Sequence, residues 1–345
     1  MPQAVKFILG FVAGIALLIG GAAAGLLVLD QAERLKAPAF ANRMSFDEKI
    51  RRLRSDRIED PEVLFIGSST TLHGLDGALV ETMLRTDGEV ANLGVQDLRI
   101  NQTRFLADFF LDLYGPVEKV VMVSTMLDYK ECADTEDGFF QPEHVRDYLQ
   151  GAPELFYHFK YFDPEGVLKR ARDIRFLRAA DDRLESVSFD DYGSLLLDVP
   201  EENVNPRVMR GDPIVLDPVC YEELETLARR LQREGTEFVY VVAPMRPSYL
   251  DDRDPGGELL KEHYDRLRTH LAGTGAVMID AHRRLDMPEE AFFDAYHLNS
   301  EKARRLTRFV AEQMIGQPEK DGSPGAPTAG SASSGERMAA RRTER

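Results

Sequence analysis

Residues 63–70 have the sequence Val-Leu-Phe-Ile-Gly-Ser-Ser-Thr, an apolar run that ends in a glycine and two serines. The run predicts a buried strand, 62–66, and the polar residues after it predict a turn at its carboxyl end. Further apolar runs occur at 89–93, 118–123, 237–243 and 276–280. Amphipathic helical patterns lie among these strands, at 218–234, 257–272 and 300–315. The alternation predicts an α/β fold with a five-stranded parallel sheet.

A second informative stretch, Asp294-Ala295-Tyr296-His297, directly precedes the helical pattern 300–315. A serine after a strand, together with a histidine and a carboxylate, supplies a nucleophile, a general base and the group that orients the base. Ser69, His297 and Asp294 therefore give a first hypothesis of a hydrolase or an acyl transferase. The alternative is that Ser69 only caps the next helix and His297 is a core histidine.

The other candidate site residues also follow predicted strands. In a doubly wound sheet, ligands bind beyond the carboxyl ends of the strands. Residues that follow the second, third and fourth strands are Gly94, Asp97, Thr125 and Arg246. We expect these side chains to lie at the same sheet edge as Ser69, where they are candidates for oxyanion or substrate contacts. His73, close to Ser69 in the sequence, is expected to be a surface or packing residue.

The chain resembles the SGNH/GDSL hydrolase superfamily over about residues 60–315. Gly67-Ser68-Ser69 resembles the Gly-Asp-Ser block that carries the nucleophile, and Asp294 to His297 resembles the Asp-x-x-His block. The resemblance implies a flavodoxin-like three-layer sandwich. It also implies that Ser69 forms an acyl-enzyme, that His297 acts as base and then acid, and that Asp294 orients His297.

The two middle blocks of the superfamily are altered in this chain. Asp97 stands where the family has the glycine whose N–H contacts the oxyanion, and a backbone N–H is still available there. Leu127 replaces an asparagine whose side chain is another oxyanion donor in the family. Loss of one such donor lowers rates by about 10²- to 10³-fold. Thr125 or Arg246 can be considered as a substitute donor, or activity is low.

The resemblance extends to membrane-anchored relatives that acetylate or deacetylate exported polysaccharides. It implies an O-acyl, chiefly acetyl, esterase or an O-acyltransferase that acts on an envelope or exported carbohydrate. No cofactor and no metal ion are expected. The altered middle blocks leave an alternative open, in which the domain is not catalytic and binds glycan or acts as a scaffold in a membrane assembly.

Residues 7–29 contain no charged side chain, and 23 residues are enough for a helix to cross a bilayer. Residues 1–30 are therefore predicted to be an N-terminal transmembrane signal anchor, although 22–25, Ala-Ala-Ala-Gly, also resembles a signal-peptidase site. The expected location is a single-pass protein of a bacterial inner membrane with a periplasmic body. The basic residues Arg34 and Lys36 after the span favour the opposite orientation under the positive-inside rule.

Small residues in the predicted span have a helical spacing. Gly10, Gly14, Gly21 and Gly25 fall on one helix face. Small residues allow two helices to approach closely, so this glycine face is a candidate contact for a membrane acyl-transfer partner or a dimer. The general richness of apolar spans in Gly and Ala is the simpler explanation.

The rest of the chain divides into segments by composition. Residues 31–60 are charged and helix-prone and are expected to be a connector, and 61–316 form the predicted hydrolase-like domain. Within that domain, 130–217 are expected to be a helical insertion beside the edge of the sheet that carries the site. Residues 317–345 are rich in Gly, Ser, Ala, Pro and Arg and are expected to be disordered.

The formal net charge of −16 and the absence of a long basic run in the body argue against nucleic-acid binding. The chain has two cysteines, Cys132 and Cys220. In an exported protein they can pair, whereas two free buried thiols are the alternative.

Overall fold

Five parallel strands carry the fold, and the bounds of each lie within one residue of the predicted bounds. The computed structural model describes residues 2–86, 89–178, 187–198 and 213–316. The strands are β1 Pro61–Phe65, β2 Glu89–Asn92, β3 Lys119–Ser124, β4 Glu237–Val242 and β5 Val277–Asp280. Their order in the sheet is β2-β1-β3-β4-β5, and every pair is parallel. The prediction of an α/β fold with a five-stranded parallel sheet is confirmed.

Helices precede, connect and follow these strands. They are α1 Gln3–Gln31, α2 Met44–Ser55, α3 Ser69–Gly74, α4 Gly77–Leu84, α5 Ile100–Tyr114, α6 Pro142–Leu149, α7 Glu154–Lys160, α8 Pro164–Arg170, α9 Ile174–Arg178, α10 Pro218–Glu234, α11 Pro247–Arg253, α12 Glu258–Leu271, α13 Ala281–Arg284 and α14 Ser300–Ile315. In α10 the Asp217 side chain accepts a hydrogen bond from the Val219 N–H at the start, and Gly235 ends the helix in a left-handed conformation. The three helices predicted from periodicity are α10, α12 and α14.

Both faces of the sheet are covered by helices. Leu64 and Ile66 belong to one buried cluster, together with apolar residues of α2, α5, α10 and α12. Val63 and Phe65 belong to the other, together with residues of α4 and α14. Because successive side chains of a strand point to opposite faces, the continuous apolar run of β1 is what a strand covered on both sides requires.

The segment expected to be a connector is folded into the body. Within 31–60, residues 44–55 form α2, and Phe46, Lys49 and Ile50 of α2 are fully buried. The Lys49 ammonium group donates hydrogen bonds to the carbonyl oxygens of Asn92 (2.6 Å) and Gly193 (3.0 Å). Although residues 31–60 are rich in charged side chains, the segment therefore packs on the body rather than forming an exposed linker.

The predicted insertion 130–217 contains α6, α7, α8 and α9. Parts of it, 179–186 and 199–212, lie outside the described residues, as does the predicted tail 317–345. A disulfide joins Cys132, near the start of this region, to Cys220 in the first turn of α10.

Helix α1 is long and apolar enough to cross a membrane, with a mean hydropathy of 2.4 over its most apolar 18 residues, of which 6% are buried. A methyl group added at Gly10, Gly14, Gly21 or Gly25 would meet no atom within 4 Å. The glycine face is thus open within the described part of the chain, and its predicted contact with a partner stays a prediction.

Candidate active site

Ser69 is the first residue of α3, held beyond the carboxyl end of β1. The Ser68 hydroxyl accepts a hydrogen bond from the Thr70 N–H at 3.3 Å and so caps α3. The Thr71 hydroxyl donates to the Val123 carbonyl (2.8 Å) and accepts from the Val123 N–H (3.0 Å), which fixes α3 to β3. A Cβ at Gly67 would collide with the Thr71 side chain, so only glycine permits this close approach.

The loop before α14 brings Asp294 and His297 to the same place. One oxygen of Asp294 accepts the backbone N–H groups of Tyr296 (3.0 Å) and His297 (2.9 Å). Its other oxygen accepts the Nδ1–H of His297 at 2.7 Å. With the proton on Nδ1, Nε2 is an acceptor, and the Ser69 hydroxyl donates to it at 2.8 Å. The three residues proposed from the sequence thus form a continuous hydrogen-bonded chain.

The surroundings of Asp294 lower the pKa of its carboxyl group. The side chain is fully buried, and burial by itself raises the pKa of a carboxyl group. The facing His297 ring and the two backbone N–H donors outweigh that effect, and the net result is a pKa below the usual value. Asp294 is therefore ionised at neutral pH, where it can stabilise a positive charge on His297.

His73 lies beside this triad rather than on the surface, so that part of the sequence-based expectation is wrong. Its ring makes an edge contact with the His297 ring, with 5.2 Å between centroids. Its Nδ1–H donates to the Leu195 carbonyl (2.6 Å), and its Nε2 lies 3.5 Å from the Gln96 amide nitrogen. Burial and then the nearby His297 lower the pKa of His73 to about 3, which keeps it neutral. The available signal was its position four residues after Ser69, one turn along the same helix face.

Tyr296 is a second neighbour that the sequence analysis did not single out. Its ring packs on the His297 ring at a centroid distance of 4.1 Å. Burial, followed by the charge of Asp294, raises the pKa of Tyr296 far above the usual value. The phenol therefore keeps its proton at neutral pH.

Gly94 and Asp97, the candidates after β2, differ in whether their backbone N–H groups already donate hydrogen bonds. The Gly94 N–H donates to the Asn92 side-chain oxygen at 3.0 Å, and a Cβ at Gly94 would lie 2.8 Å from the Leu72 nitrogen. Gly94 thus allows close packing against α3. Asp97 has a φ of 59°, the left-handed region that favours glycine. Within the described ranges, no group accepts a hydrogen bond from the Asp97 N–H.

Thr125 and Arg246 are engaged in structural contacts. The Thr125 N–H donates to the Asp128 carboxylate at 3.1 Å, and the Thr125 hydroxyl caps the short 3₁₀ turn Met126–Asp128. The Arg246 Nε donates to the Glu289 carboxylate at 2.5 Å. Its backbone N–H donates to the Ala295 carbonyl at 2.9 Å, which supports the loop that holds the triad. Their predicted roles as oxyanion or substrate contacts stay predictions.

Among the residues that the structure describes, no group of three or more His, Cys, Asp and Glu side chains is arranged to hold a metal ion. No protein-family model matches this chain, and no curated protein matches it.

Proposed function

We propose that this protein is an SGNH-type serine O-acyl esterase or O-acyltransferase that works through an acyl-enzyme on Ser69. The observation that carries the proposal is the chain from Ser69 through His297 to Asp294, with contacts of 2.8 Å and 2.7 Å. The strand order β2-β1-β3-β4-β5 adds support, because it is the order of flavodoxin-like folds.

The proposed reaction has two halves. The Ser69 oxygen attacks the carbonyl carbon of the ester while His297 Nε2 takes the hydroxyl proton, and Asp294 stabilises the resulting imidazolium. The tetrahedral intermediate then expels the alcohol, which receives the proton from His297 and leaves the acyl group on Ser69. In the second half, water or a sugar hydroxyl attacks the acyl carbon while His297 Nε2 takes its proton. The bond between the acyl carbon and the Ser69 oxygen then breaks, His297 returns the proton to that oxygen, and the acid or the acylated sugar is released.

The developing oxyanion needs hydrogen-bond donors that are not already in use. Leu127 offers none at the position where the resembled family has an amide. Within the described segments, the backbone N–H groups of Ser69 and Asp97 have no intramolecular acceptor. We assign the oxyanion to these two N–H groups and, as a third donor, to the Tyr296 phenol, whose ring packs on His297.

Removal of the Tyr296 hydroxyl should therefore reduce turnover. In Tyr296→Phe we expect kcat for a short-chain aryl acetate to fall by about 10²-fold with little change in KM, because the lost bond forms in the transition state. Tyr192→Phe is the matched control, since the Tyr192 hydroxyl donates to Glu81, away from the triad. An unchanged kcat in Tyr296→Phe, with a normal thermal melt, contradicts the assignment.

A small acyl group fits the site best. The side chains of Ser69 and His297 are both nearly buried, at 6% exposure, so an acetyl group reaches Ser69 more easily than a long acyl chain. The carbohydrate half of the substrate follows from the resemblance to membrane-anchored polysaccharide esterases and transferases.

Purified full-length protein in detergent tests the proposal. It should release the aryl alcohol from an aryl acetate much faster than from a decanoate ester of the same alcohol. Added oligosaccharide tests the acceptor: transfer of the acyl group to the sugar identifies a transferase, and release of free acid in its presence identifies an esterase.

A non-catalytic scaffold remains the second candidate, because Leu127 and the occupied Gly94 and Thr125 N–H groups remove possible donors. Absence of any turnover would favour it.

For the location, we propose an inner-membrane protein anchored by α1 with its body in the periplasm. Two observations support this: the apolar length of α1 and the disulfide between Cys132 and Cys220, a bond that persists in oxidising compartments. Lys36, one of the basic residues after the span, pairs with Asp163 at 2.7 Å. A transferase in that compartment needs an acyl group carried across the membrane, and the glycine face is where a carrier could bind.

Alkaline phosphatase fused after residue 60 should be active if the body is periplasmic, because this reporter requires an oxidising compartment to form its own disulfides. The matched control is a fluorescent cytoplasmic reporter fused at the same residue, which should then be dark. An inactive phosphatase with a fluorescent partner fusion contradicts the proposed orientation and agrees instead with the basic residues after the span.

A further inference from the structure

Helices α7 and α8 carry large apolar side chains that the fold leaves uncovered. Phe156 and Phe159 of α7, Phe162 in the following turn and Leu168 of α8 are all exposed, Phe162 to 58% and Leu168 to 79%. We call these four residues the aromatic surface. The other face of α7 is buried, since Tyr157 packs in the main core. Four exposed large apolar side chains within 13 residues of sequence are more than single scattered surface residues and point to an interaction surface.

The segment that carries the aromatic surface also has exposed basic side chains. Lys160, Lys169 and Arg172 are exposed. Residues 154–178 contain six Lys or Arg and four Asp or Glu, a formal net charge of +2 in a chain of net charge −16. Apolar and aromatic side chains among basic ones are the composition of segments that lie in the interface of an anionic membrane.

The position of this segment decides between possible partners, because it packs against the chain immediately after the apolar helix α1. Asp163 pairs with Lys36 at 2.7 Å, and Arg175 pairs with Glu33 at 3.3 Å. The Arg178 guanidinium donates to the Leu35 carbonyl at 2.6 Å. The segment that carries the aromatic surface is therefore tied to residues 33–36, at the level where α1 would leave a bilayer.

We propose that the aromatic surface, with Lys160, Lys169 and Arg172, lies on the lipid surface beside the exit of α1. Phenylalanine and leucine side chains would enter the boundary of the acyl chains, and the basic groups would face lipid phosphates. Four apolar side chains bound this way would hold the body in one orientation on the membrane. The inference rests on the proposed membrane anchor and not on the catalytic assignment.

The chain contains no tryptophan, so one introduced tryptophan reports on its own surroundings. Full-length Phe162→Trp is reconstituted in vesicles of phosphatidylcholine and phosphatidylglycerol whose acyl chains carry bromine, a quencher of tryptophan. We expect the emission to shift to the blue and to lose most of its intensity relative to vesicles without bromine. Phe156→Trp provides a second reporter on the same surface in case the first variant folds poorly.

The matched control is Ile315→Trp, a site of similar exposure at 55%. It lies at the end of α14, which packs on the opposite face of the sheet from α7. Its emission should be the same with and without bromine. Equal quenching at both positions overturns the proposal, because it reports a body that sinks into the bilayer without a preferred surface.

Charge reversal tests the basic part of the surface. In the Phe162→Trp background, Lys169→Glu with Arg172→Glu should weaken quenching, whereas Lys261→Glu with Arg268→Glu on α12 should not. Retention of the protein by vesicles after an alkaline wash checks the anchor separately. Retained protein whose Phe162→Trp emission bromine does not quench overturns the inference and leaves the anchor intact. A blue shift without quenching also overturns it, since it indicates a protein partner or a second copy on this surface.

Discussion

Ser69→Ala is expected to lower kcat for a short-chain aryl acetate by a factor on the order of 10⁵ to 10⁶, because the acyl-enzyme can no longer form. The hydroxyl that His297 Nε2 accepts at 2.8 Å is the nucleophile of the proposed reaction. The melting temperature should change little, since a buried alanine replaces a serine of nearly the same volume. Initial rates and a thermal melt of the same preparation are the measurements.

Ser68→Ala is the matched control for that variant. Ser68 is the neighbouring serine and is equally buried, but its hydroxyl caps α3 through the Thr70 N–H. Its loss should cost about 1 kcal/mol of stability and leave most of the activity. The reverse pattern, with activity lost in Ser68→Ala and kept in Ser69→Ala, would contradict our assignment and identify Ser68 as the nucleophile.

The second large effect concerns the disulfide. Cys132 and Cys220 are 88 residues apart in sequence, so the bond strongly restricts the unfolded chain. Cys132→Ala with Cys220→Ala should lower the free energy of unfolding by about 2–5 kcal/mol. The Ala133 N–H also donates to the Asp217 carboxylate at 2.7 Å. The segments next to the two cysteines should therefore stay together in the folded variant, and activity should persist.

Chemical denaturation with and without a reductant measures this contribution in the wild type and in the double variant. Reductant should shift the midpoint of the wild type towards that of the variant and leave the variant unchanged. A wild-type midpoint that does not respond to reductant, after the thiols have been shown to be free, contradicts the expected contribution of the bond.

The sheet and the triad were accessible from sequence because their signals are local. The apolar run before Ser69 fixes β1, and the three-residue spacing of Asp294 and His297 lets one carboxylate bind both the histidine N–H and its ring. Helices α10 and α14 were equally clear, because each has a capping side chain and one apolar face.

Contacts between distant segments were not accessible in the same way. His73 can be buried because the Leu195 carbonyl, more than 100 residues later, accepts a hydrogen bond from its Nδ1–H. Lys49 is buried in a charged segment because the carbonyls of Asn92, at the end of β2, and of the distant Gly193 accept hydrogen bonds from its ammonium group. The pairing of Cys132 with Cys220 likewise depends on how the chain returns to the sheet, so the sequence left it open.

The substitutions in the middle blocks show a mixed result. Asp97 has a left-handed φ of 59°, a conformation that glycine adopts easily, at the position where the resembled family has glycine. Leu127 has no side-chain hydrogen-bond donor, so its own position does not replace the asparagine amide of the resembled family. The packing of Tyr296 on the His297 ring brings a phenol to the site, and no spacing rule in the sequence indicates it.

Covalent labelling of the nucleophile tests the central claim most directly. Full-length protein treated with a fluorophosphonate should gain one phosphonyl group, and mass spectrometry of its peptides should place that group on Ser69. Labelling should be lost in Ser69→Ala, retained in Ser68→Ala and strongly slowed in His297→Ala, because His297 activates the hydroxyl. A folded protein that takes up no label, or that carries the label on another residue, would contradict the assignment of Ser69 as an activated nucleophile.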